Sequence, residues 1–297
     1  MKIVITGANS SVGKNLLKQL ADNSAVSVIA GVRSESAFAS LPKGQSITPK
    51  VIAYDDLPGL TDTLQDADCV IHLAGILIES KHSNYASANV AATEAVLNAA
   101  KANQVKHFIF ISVVGASKDS SNAYFRSKGT AEQLVIESDI PASILRTPIL
   151  LGVGSAGSFT LTSAIAKGQT KVLGGGNYTM RPLDVDDLNN ALINLTQKPV
   201  SEATVYELVG PQAIAYKDLI KLAGKTKNVD ITVGTAPIWL AKLVSGITSV
   251  IKGGGISPTV IDVITMNEVI EKNSDSELGI TLTPLQETLN KILAETA

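Results

Sequence analysis

Short apolar runs alternate with longer segments of helical periodicity in the first half of the chain. The runs are almost continuously apolar, which is typical of parallel strands covered on both faces. They predict strands at Lys2–Ile5, Val26–Val32, Lys50–Ala53, Cys69–Leu73, Phe108–Ser112 and Ser143–Arg146. The segments between them predict helices at Val12–Asn23, Gly59–Gln65, Tyr85–Ala102 and Ala123–Glu137. This order predicts an α/β protein with a doubly wound parallel sheet.

The pattern changes in the second half, where helices dominate. Two further strands are predicted, at Thr204–Leu208 and Asp230–Val233. The predicted helices are Lys217–Ala223, Trp239–Ile251, Pro258–Glu271 and Pro284–Glu295. We therefore expect a sheet core over residues 1–150 and a mixed region over residues 151–297. About 180–210 should return to the sheet, and the remainder should form a small C-terminal cap over its ligand edge.

Composition narrows the class of protein. The chain has 297 residues, of which 45% are hydrophobic and 18% charged, so it can bury a large core. A net charge of −2 and an aromatic content of 4% argue against nucleic acid as a partner. With Cys69 as its only cysteine the chain cannot form an intramolecular disulfide, and its three scattered histidines predict no metal site. No apolar run reaches the roughly 18 residues of a membrane span, and no signal peptide is recognisable, so we expect a cytoplasmic protein.

A phosphate-binding turn is predicted where the first strand meets the first helix. The sequence there is Thr-Gly-Ala-Asn-Ser-Ser-Val-Gly, from Thr6 to Gly13. Gly7 permits the tight turn, Gly13 lets the helix pack against the strand, and the helix N-terminus suits a pyrophosphate. Ser10 replaces the usual middle glycine; its hydroxyl can donate to a phosphate, but its Cβ crowds the approach. The position predicts a Rossmann-type dinucleotide site, with the cofactor contacted by Gly7, Asn9, Ser10, Ser11, Val12 and Gly13.

The end of the second strand indicates which dinucleotide is bound. An NAD-specific site has an acidic residue there, whereas this chain has Arg33 and Ser34, which can hold a 2′-phosphate. We therefore expect NADP(H), with NAD(H) left open. Further on, Asp55 and Asp56 provide carboxylates for the adenine amino group. The small residues after the fourth strand allow the cofactor to approach the backbone at Ala74, Gly75 and Ile76.

A serine, a tyrosine and a lysine form a catalytic pattern after the fifth strand. Ser112 ends that strand, and Tyr124 and Lys128 are four residues apart on the next predicted helix, on one face. A lysine ammonium near a phenol lowers the pKa of the phenol from its usual value of about 10. The tyrosine can then exchange a proton with a substrate alcohol or carbonyl while hydride moves. Ser112 would orient the substrate oxygen, and Lys128 would also hold the ribose.

With these residues, the chain resembles the extended or atypical short-chain dehydrogenase/reductases. Asn89 lies in a segment similar to the family's fourth helix, where an asparagine supports a proton relay. The segment ending in Pro148 is similar to one whose following loop flanks the nicotinamide, so Pro148 is expected at the cofactor. Segments 73–79, 124–128 and 278–285 resemble bacterial relatives of the dinucleotide-binding accessory subunit of respiratory complex I. The family's helix pairs often form dimers, so a homodimer stays open.

Three functions are compatible with these residues. The leading one is an NADP(H)-dependent oxidoreductase acting on a small, apolar carbonyl or alcohol. The second is a non-catalytic NAD(P)-binding sensor or assembly protein, and the third an NAD(P)-dependent epimerase or isomerase. The apolar stripe 239–247 either lines an apolar pocket or, as the simpler interpretation, packs in the core. Arg181 either touches a phosphate or makes an ordinary ion pair.

Overall fold

A parallel sheet of seven strands forms the centre of the computed structural model, which describes residues 1–294. Its strands are β1 (Lys2–Thr6), β2 (Ser27–Val32), β3 (Ile47–Val51), β4 (Cys69–His72), β5 (His107–Val113), β6 (Ala142–Thr147) and β11 (Thr204–Glu207). Their order across the sheet is β11-β6-β5-β4-β1-β2-β3. The chain order reverses between β1 and β4, and ligands of such sheets bind at this switch point, beyond the carboxyl ends of the strands. The predicted fold class is confirmed.

Helices cover both faces of this sheet. The helices are α1 (Ser11–Leu20), α2 (Leu57–Thr63), α3 (Ala92–Ala102), α4 (Ala123–Glu137), α5 (Ala156–Lys167), α6 (Val185–Gln197), α7 (Tyr216–Thr226), α8 (Ile238–Lys252), α9 (Pro258–Ile264) and α10 (Leu285–Ala294). On one face Ile3 and Ile5 of β1 pack with Leu16 of α1 and Leu188 of α6. On the other face Val4 belongs to the cluster that contains α2, α3 and α4 side chains. The continuous apolar runs therefore reflect burial on both sides.

Short strands outside the sheet build the region beside its carboxyl edge. They are β7 (Leu150–Leu151), β8 (Gln169–Leu173), β9 (Thr179–Met180), β10 (Leu183–Asp184), β12 (Ile214–Ala215) and β13 (Thr232–Ala236). They pair as β7 with β10, β8 with β13 and β9 with β12. A separate apolar cluster holds this region together, with Leu161 of α5, Leu219 of α7 and Leu289 of α10 fully or almost fully buried.

Some predicted elements differ from the structure. The third strand begins at Ile47, three residues before the predicted start. The predicted helix from Pro258 ends at Ile264 and not at Glu271, because the next residues bond to β9: the Glu268 amide donates to the Thr179 carbonyl at 2.9 Å. Sequence periodicity missed α5 and β8. Of the predicted terminal helix, Glu295 lies outside the described residues.

The structure also gives the position of the only cysteine and the lengths of the helices. Cys69 is buried in the sheet, as expected for a small apolar residue, and burial raises the pKa of its thiol. Within residues 1–294, no helix is long and apolar enough to cross a membrane.

Candidate active site

A cavity of about 660 Å³ opens at the switch point, beyond the ends of β1, β2 and β4. A volume of this size is ordinary for a small-molecule or cofactor site. Its walls include Gly7, Asn9 and Ser10 from the first turn, and Arg33 and Asp55 from the ends of the next strands. The segment Leu73–Ile76 closes it on the side of β4. The structure thus brings part of the predicted cofactor set to one cavity. The predicted phosphate and adenine contacts that do not line it are Ser11, Val12, Gly13, Ser34 and Asp56.

The phosphate turn has the backbone geometry that its glycines require. Gly7 has a φ of +69°, and a Cβ there would lie 2.8 Å from the Ala74 backbone nitrogen. A Cβ on Gly13 would lie 2.6 Å from the Ala8 carbonyl oxygen, so α1 can pack against the turn only with glycine. The Ser10 hydroxyl caps α1 by accepting the Gly13 N–H at 3.0 Å. Its own proton therefore stays available for an anion.

The end of this cavity next to β2 contains one cation. Arg33 is exposed and lines the cavity, while the neighbouring Ser34 hydroxyl pairs with that of Ser36 at 2.8 Å. Asp55 lines the cavity, but Asp56 does not: its carboxylate caps α2 by accepting the Gly59 N–H at 3.0 Å. Sequence reasoning missed Tyr54, a lining residue whose pKa burial raises to about 12.

A second cavity, of about 600 Å³, shares the segment Leu73–Ile76 with the first. Most of its wall is apolar. The apolar side chains include Ile111, Phe125, Ile149, Met180, Ile264 and Met266. Among its lining residues, all within the described chain, Lys128 and Glu268 are the charged ones. A dinucleotide that extends past Gly75 would therefore pass from a polar cavity into an apolar one.

The predicted serine, tyrosine and lysine all line this second cavity, as does Pro148. The Ser112 side chain is buried, and its Oγ has no hydrogen-bond partner among the described residues. A buried hydroxyl without a partner costs free energy, so it marks a place for a ligand oxygen. The Lys128 ammonium donates to the Ile111 carbonyl at 2.6 Å and lies 4.2 Å from the centre of the Phe110 ring.

The expected lowering of the tyrosine pKa is wrong for this arrangement. Burial raises the pKa of Tyr124, and the nearby Tyr85, with ring centres 5.7 Å apart, raises it further. The Lys128 ammonium is directed to the Ile111 carbonyl, and burial lowers the pKa of this lysine to about 8. The phenol is therefore held in its protonated form.

Asn89 lies behind the site and does not line either cavity. It belongs to a π-helical turn, Ala86–Ala91, that precedes α3, where the sequence predicted a continuous helix. Its Oδ1 accepts the Ile76 N–H at 2.7 Å, while its Nδ2 donates to the Ile76 carbonyl at 3.1 Å and to Ser127 Oγ at 3.0 Å. It therefore positions the segment that both cavities share.

His72 is a core residue. Its side chain is fully buried at the end of β4, with Nδ1 2.6 Å from Thr6 Oγ1 and Nε2 3.1 Å from Thr93 Oγ1. Burial lowers its pKa to about 3, and the Lys128 charge lowers it further in the same direction. The imidazole is therefore neutral and links the phosphate turn to α3.

Glu268 is a site residue that sequence reasoning missed. Its carboxylate accepts the Arg181 N–H at 2.6 Å and the Ile149 N–H at 3.4 Å, and burial raises its pKa. The Arg181 guanidinium donates to the Gly210 and Pro211 carbonyls, and no ion pair of this side chain is found among residues 1–294. Glu268 follows α9 in a loop, where neither spacing nor periodicity marks it.

Two aspartates of the second half have structural roles. Asp184 caps α6 by accepting the Asp186 N–H at 2.8 Å. Asp187 holds the backbone and hydroxyl of Thr283, both at 2.7 Å. The apolar stripe of α8 neither lines the cavity nor packs in the core; from Trp239 to Ile247 its large side chains are exposed.

Comparison with known proteins places this geometry in a family. A family model described as NAD(P)H-binding matches residues 7–174, more than half of the chain. Subunit 9 of the NADH dehydrogenase (ubiquinone) 1 alpha subcomplex, mitochondrial, from Arabidopsis thaliana is 25% identical over 73% of this chain and 56% of its own length. The chain thus spans little more than half of that relative.

Two further comparisons cover a larger share of the other protein's length. The sterol-4-alpha-carboxylate 3-dehydrogenase (decarboxylating) of Dictyostelium discoideum is 26% identical over 76% of both chains. The crystal structure of UDP-glucose 4-epimerase from Thermotoga maritima with UDP-glucose superimposes with a TM-score of 0.76 at 18% identity, covering all of this chain and 98% of the other. At that identity the superposition shows the fold alone. The resemblance predicted from the sequence is confirmed by these relatives.

Proposed function

Because the chain belongs to the NAD(P)H-binding family, we propose that it is an NADP(H)-dependent oxidoreductase of the short-chain dehydrogenase/reductase type. It transfers hydride to or from a small, apolar carbonyl or alcohol. The observation that carries this proposal is the unpartnered Ser112 hydroxyl, buried in the same apolar cavity that Tyr124 and Lys128 line.

The chemical roles follow from the positions of the three side chains. NADP(H), when bound along the two joined cavities, supplies or accepts the hydride. Ser112 donates a hydrogen bond to the substrate oxygen, and the Tyr124 hydroxyl exchanges a proton with that oxygen. Burial and Tyr85 keep the Tyr124 phenol protonated, which is the form that donates a proton in carbonyl reduction. Oxidation of an alcohol would need the deprotonated form.

The choice of cofactor rests on the end of β2. Arg33 is an exposed guanidinium at the mouth of the dinucleotide cavity, where an NAD-specific site would have a carboxylate. A guanidinium pairs well with a phosphate through two parallel hydrogen bonds. This favours NADP(H) over NAD(H).

The cavity wall favours a small apolar substrate over a nucleotide sugar. A diphosphate needs cations, and of the described lining residues Lys128 alone carries a positive charge. Arg181 is occupied by two backbone carbonyls, and the Glu268 carboxylate would repel a phosphate. The named substrate of the Dictyostelium relative, a sterol carboxylate, is mostly apolar, in agreement with this wall.

The test is turnover by Tyr124→Phe. With NADPH and a panel of apolar aldehydes, ketones and quinones, this variant should lose roughly 10²–10⁴-fold in kcat and keep its affinity for NADPH. Tyr206→Phe is the matched control, since Tyr206 lies on β11, outside both cavities. Full activity of Tyr124→Phe would overturn the proton-transfer role.

A non-catalytic, cofactor-binding role is the second candidate. This role is favoured by the Lys128 ammonium, which donates its hydrogen bond to the Ile111 carbonyl rather than to the Tyr124 phenol. The same panel separates the two functions. Tight NADPH binding without turnover of any compound, in wild type and Tyr124→Phe alike, would favour the binding role.

A further inference from the structure

Helix α8 presents its large apolar side chains outward. Within this fully described helix Ser245 alone is buried. Six large apolar residues are each 53–81% exposed, and we call them the α8 face: Trp239, Leu243, Val244, Ile247, Val250 and Ile251. At 100° per residue they fall within an arc of about 140°. An arc of this kind normally faces a protein core, so its exposure marks α8 as an interaction surface.

The opposite side of the helix explains why it packs in this orientation. Lys242 pairs with Asp262 of α9 at 2.5 Å. A Cβ on Gly246 would lie 3.6 Å from Pro258, so small residues of α8 lie against α9. The polar and small residues therefore hold the helix to the protein, and the apolar residues are left for a partner.

The charge near the C-terminal end of the α8 face is positive. From Ile231 to Ile261 the sequence has no aspartate or glutamate; of its two lysines, Lys242 is paired with Asp262, so Lys252 is the one that adds a positive charge. The stem of Lys81 packs on Gly253, since a Cβ there would lie 2.7 Å from Lys81 Cγ, which brings a further lysine to the end of α8. An apolar helical face flanked by lysines is complementary to an anionic lipid surface.

We propose that the α8 face docks on anionic membrane surfaces, with its axis in the plane of the lipid headgroups. Helix α9, which packs on the other side of α8, carries Ile264, and this residue is both 40% exposed and part of the wall of the second cavity. Docking of α8 would therefore place the exposed edge of the cavity one helix away from the lipid. Delivery of an apolar substrate by this route rests on the proposed function; the docking itself does not.

The only tryptophan of the chain, Trp239, provides a direct probe, because it lies on the α8 face. The intact chain is mixed with vesicles of equimolar phosphatidylcholine and phosphatidylglycerol. We expect the protein to float with the vesicles, its tryptophan emission to shift to the blue, and lipids with brominated acyl chains to quench that emission. Vesicles of phosphatidylcholine alone should bind more weakly.

Two double variants test which face binds. Val250→Ser with Ile251→Ser should weaken partitioning about tenfold or more, because two of the most exposed apolar side chains are lost. Leu57→Ser with Ile136→Ser, on α2 and α4, removes two exposed apolar side chains elsewhere and should bind like wild type. Both double variants should bind NADPH like wild type, which verifies folding. Lys252→Glu should reduce the preference for phosphatidylglycerol.

Two results would overturn the proposal. One is the absence of flotation with unchanged tryptophan emission. The other is a blue shift that depends on protein concentration without vesicles, together with sedimentation as a dimer, which would identify a second copy of the chain as the occupant. Neither measurement needs turnover, so a failure of the oxidoreductase proposal would leave the docking result interpretable.

Discussion

The carboxamide of Asn89 bonds to both backbone polar groups of Ile76, accepting its N–H at 2.7 Å and donating to its carbonyl at 3.1 Å. Ile76 belongs to the segment that separates and lines both cavities. Asn89 comes from a π-helical turn, and such turns often occur at functional sites. Its side chain links the start of α3 to the segment that both cavities share. Its contribution is to position the segment, not to touch the reacting atoms.

Asn89→Ala should loosen this segment. We expect NADPH to bind about tenfold more weakly and the free energy of unfolding to fall by about 2–3 kcal/mol, because buried backbone groups lose their partners. Asn103→Ala is the matched control: its Nδ2 also donates to two backbone carbonyls, of Thr61 and Ala99, but outside both cavities. Calorimetric titration with NADPH and urea unfolding measure the two effects. Equal NADPH affinity in the two variants would contradict the positioning role.

Arg33→Ser should remove the preference for NADP(H). Loss of a charged hydrogen bond to a 2′-phosphate should raise the Kd of NADPH about 10- to 100-fold, while the Kd of NADH stays within a factor of about two. Arg126→Ser, an exposed arginine that donates to the Ser120 and Ser121 carbonyls, should change neither. If wild type binds NADH as tightly as NADPH, Arg33 does not read the phosphate.

Much of the wall of the first cavity could be predicted from the sequence because the signals for its residues are local. A glycine at a positive φ, a capping serine and the arginine that follows β2 each lie within a few residues of the feature they create. Ser112, Tyr124 and Lys128 could be found because α4 formed at its predicted bounds and β5 carries Ser112 to its carboxyl end.

The remaining features depend on tertiary contacts that no local pattern records. The direction of the Lys128 ammonium is set by the Ile111 carbonyl, and Glu268 reaches the cavity through a loop that bonds to β9. The α8 stripe has the periodicity of a core helix, yet the helix packs by its small residues. Periodicity gives the width of an apolar face, but not whether the fold or a partner covers it.

His72 should make the protein sensitive to acid. Its pKa is about 3 in the folded protein and 6.5 in the unfolded chain. Between these pH values the unfolded chain binds a proton at this side chain and the folded protein does not. Stability should therefore fall as pH decreases from about 6.5 towards 3. His72→Gln keeps a neutral polar group facing Thr6 and Thr93 and should have a shallower decline in the free energy of unfolding. Parallel curves for the two proteins in urea unfolding at a series of pH values would contradict the prediction.

Lys128 should make the stability of the folded protein rise with pH in the alkaline range. Burial lowers its pKa to about 8 in the folded protein, against 10.5 in the unfolded chain. The free-energy cost of burying the charged amine is therefore present in full below pH 8. This cost decreases as the pH rises to 10.5. Over that window the stability of wild type relative to Lys128→Met should rise by about 3 kcal/mol. The comparison cancels the buried tyrosines, whose raised pKa values act in both proteins. Urea unfolding across this range measures the difference. A constant offset between the two proteins would mean that the Lys128 amine keeps its ordinary pKa, and that its bond to Ile111 compensates for burial.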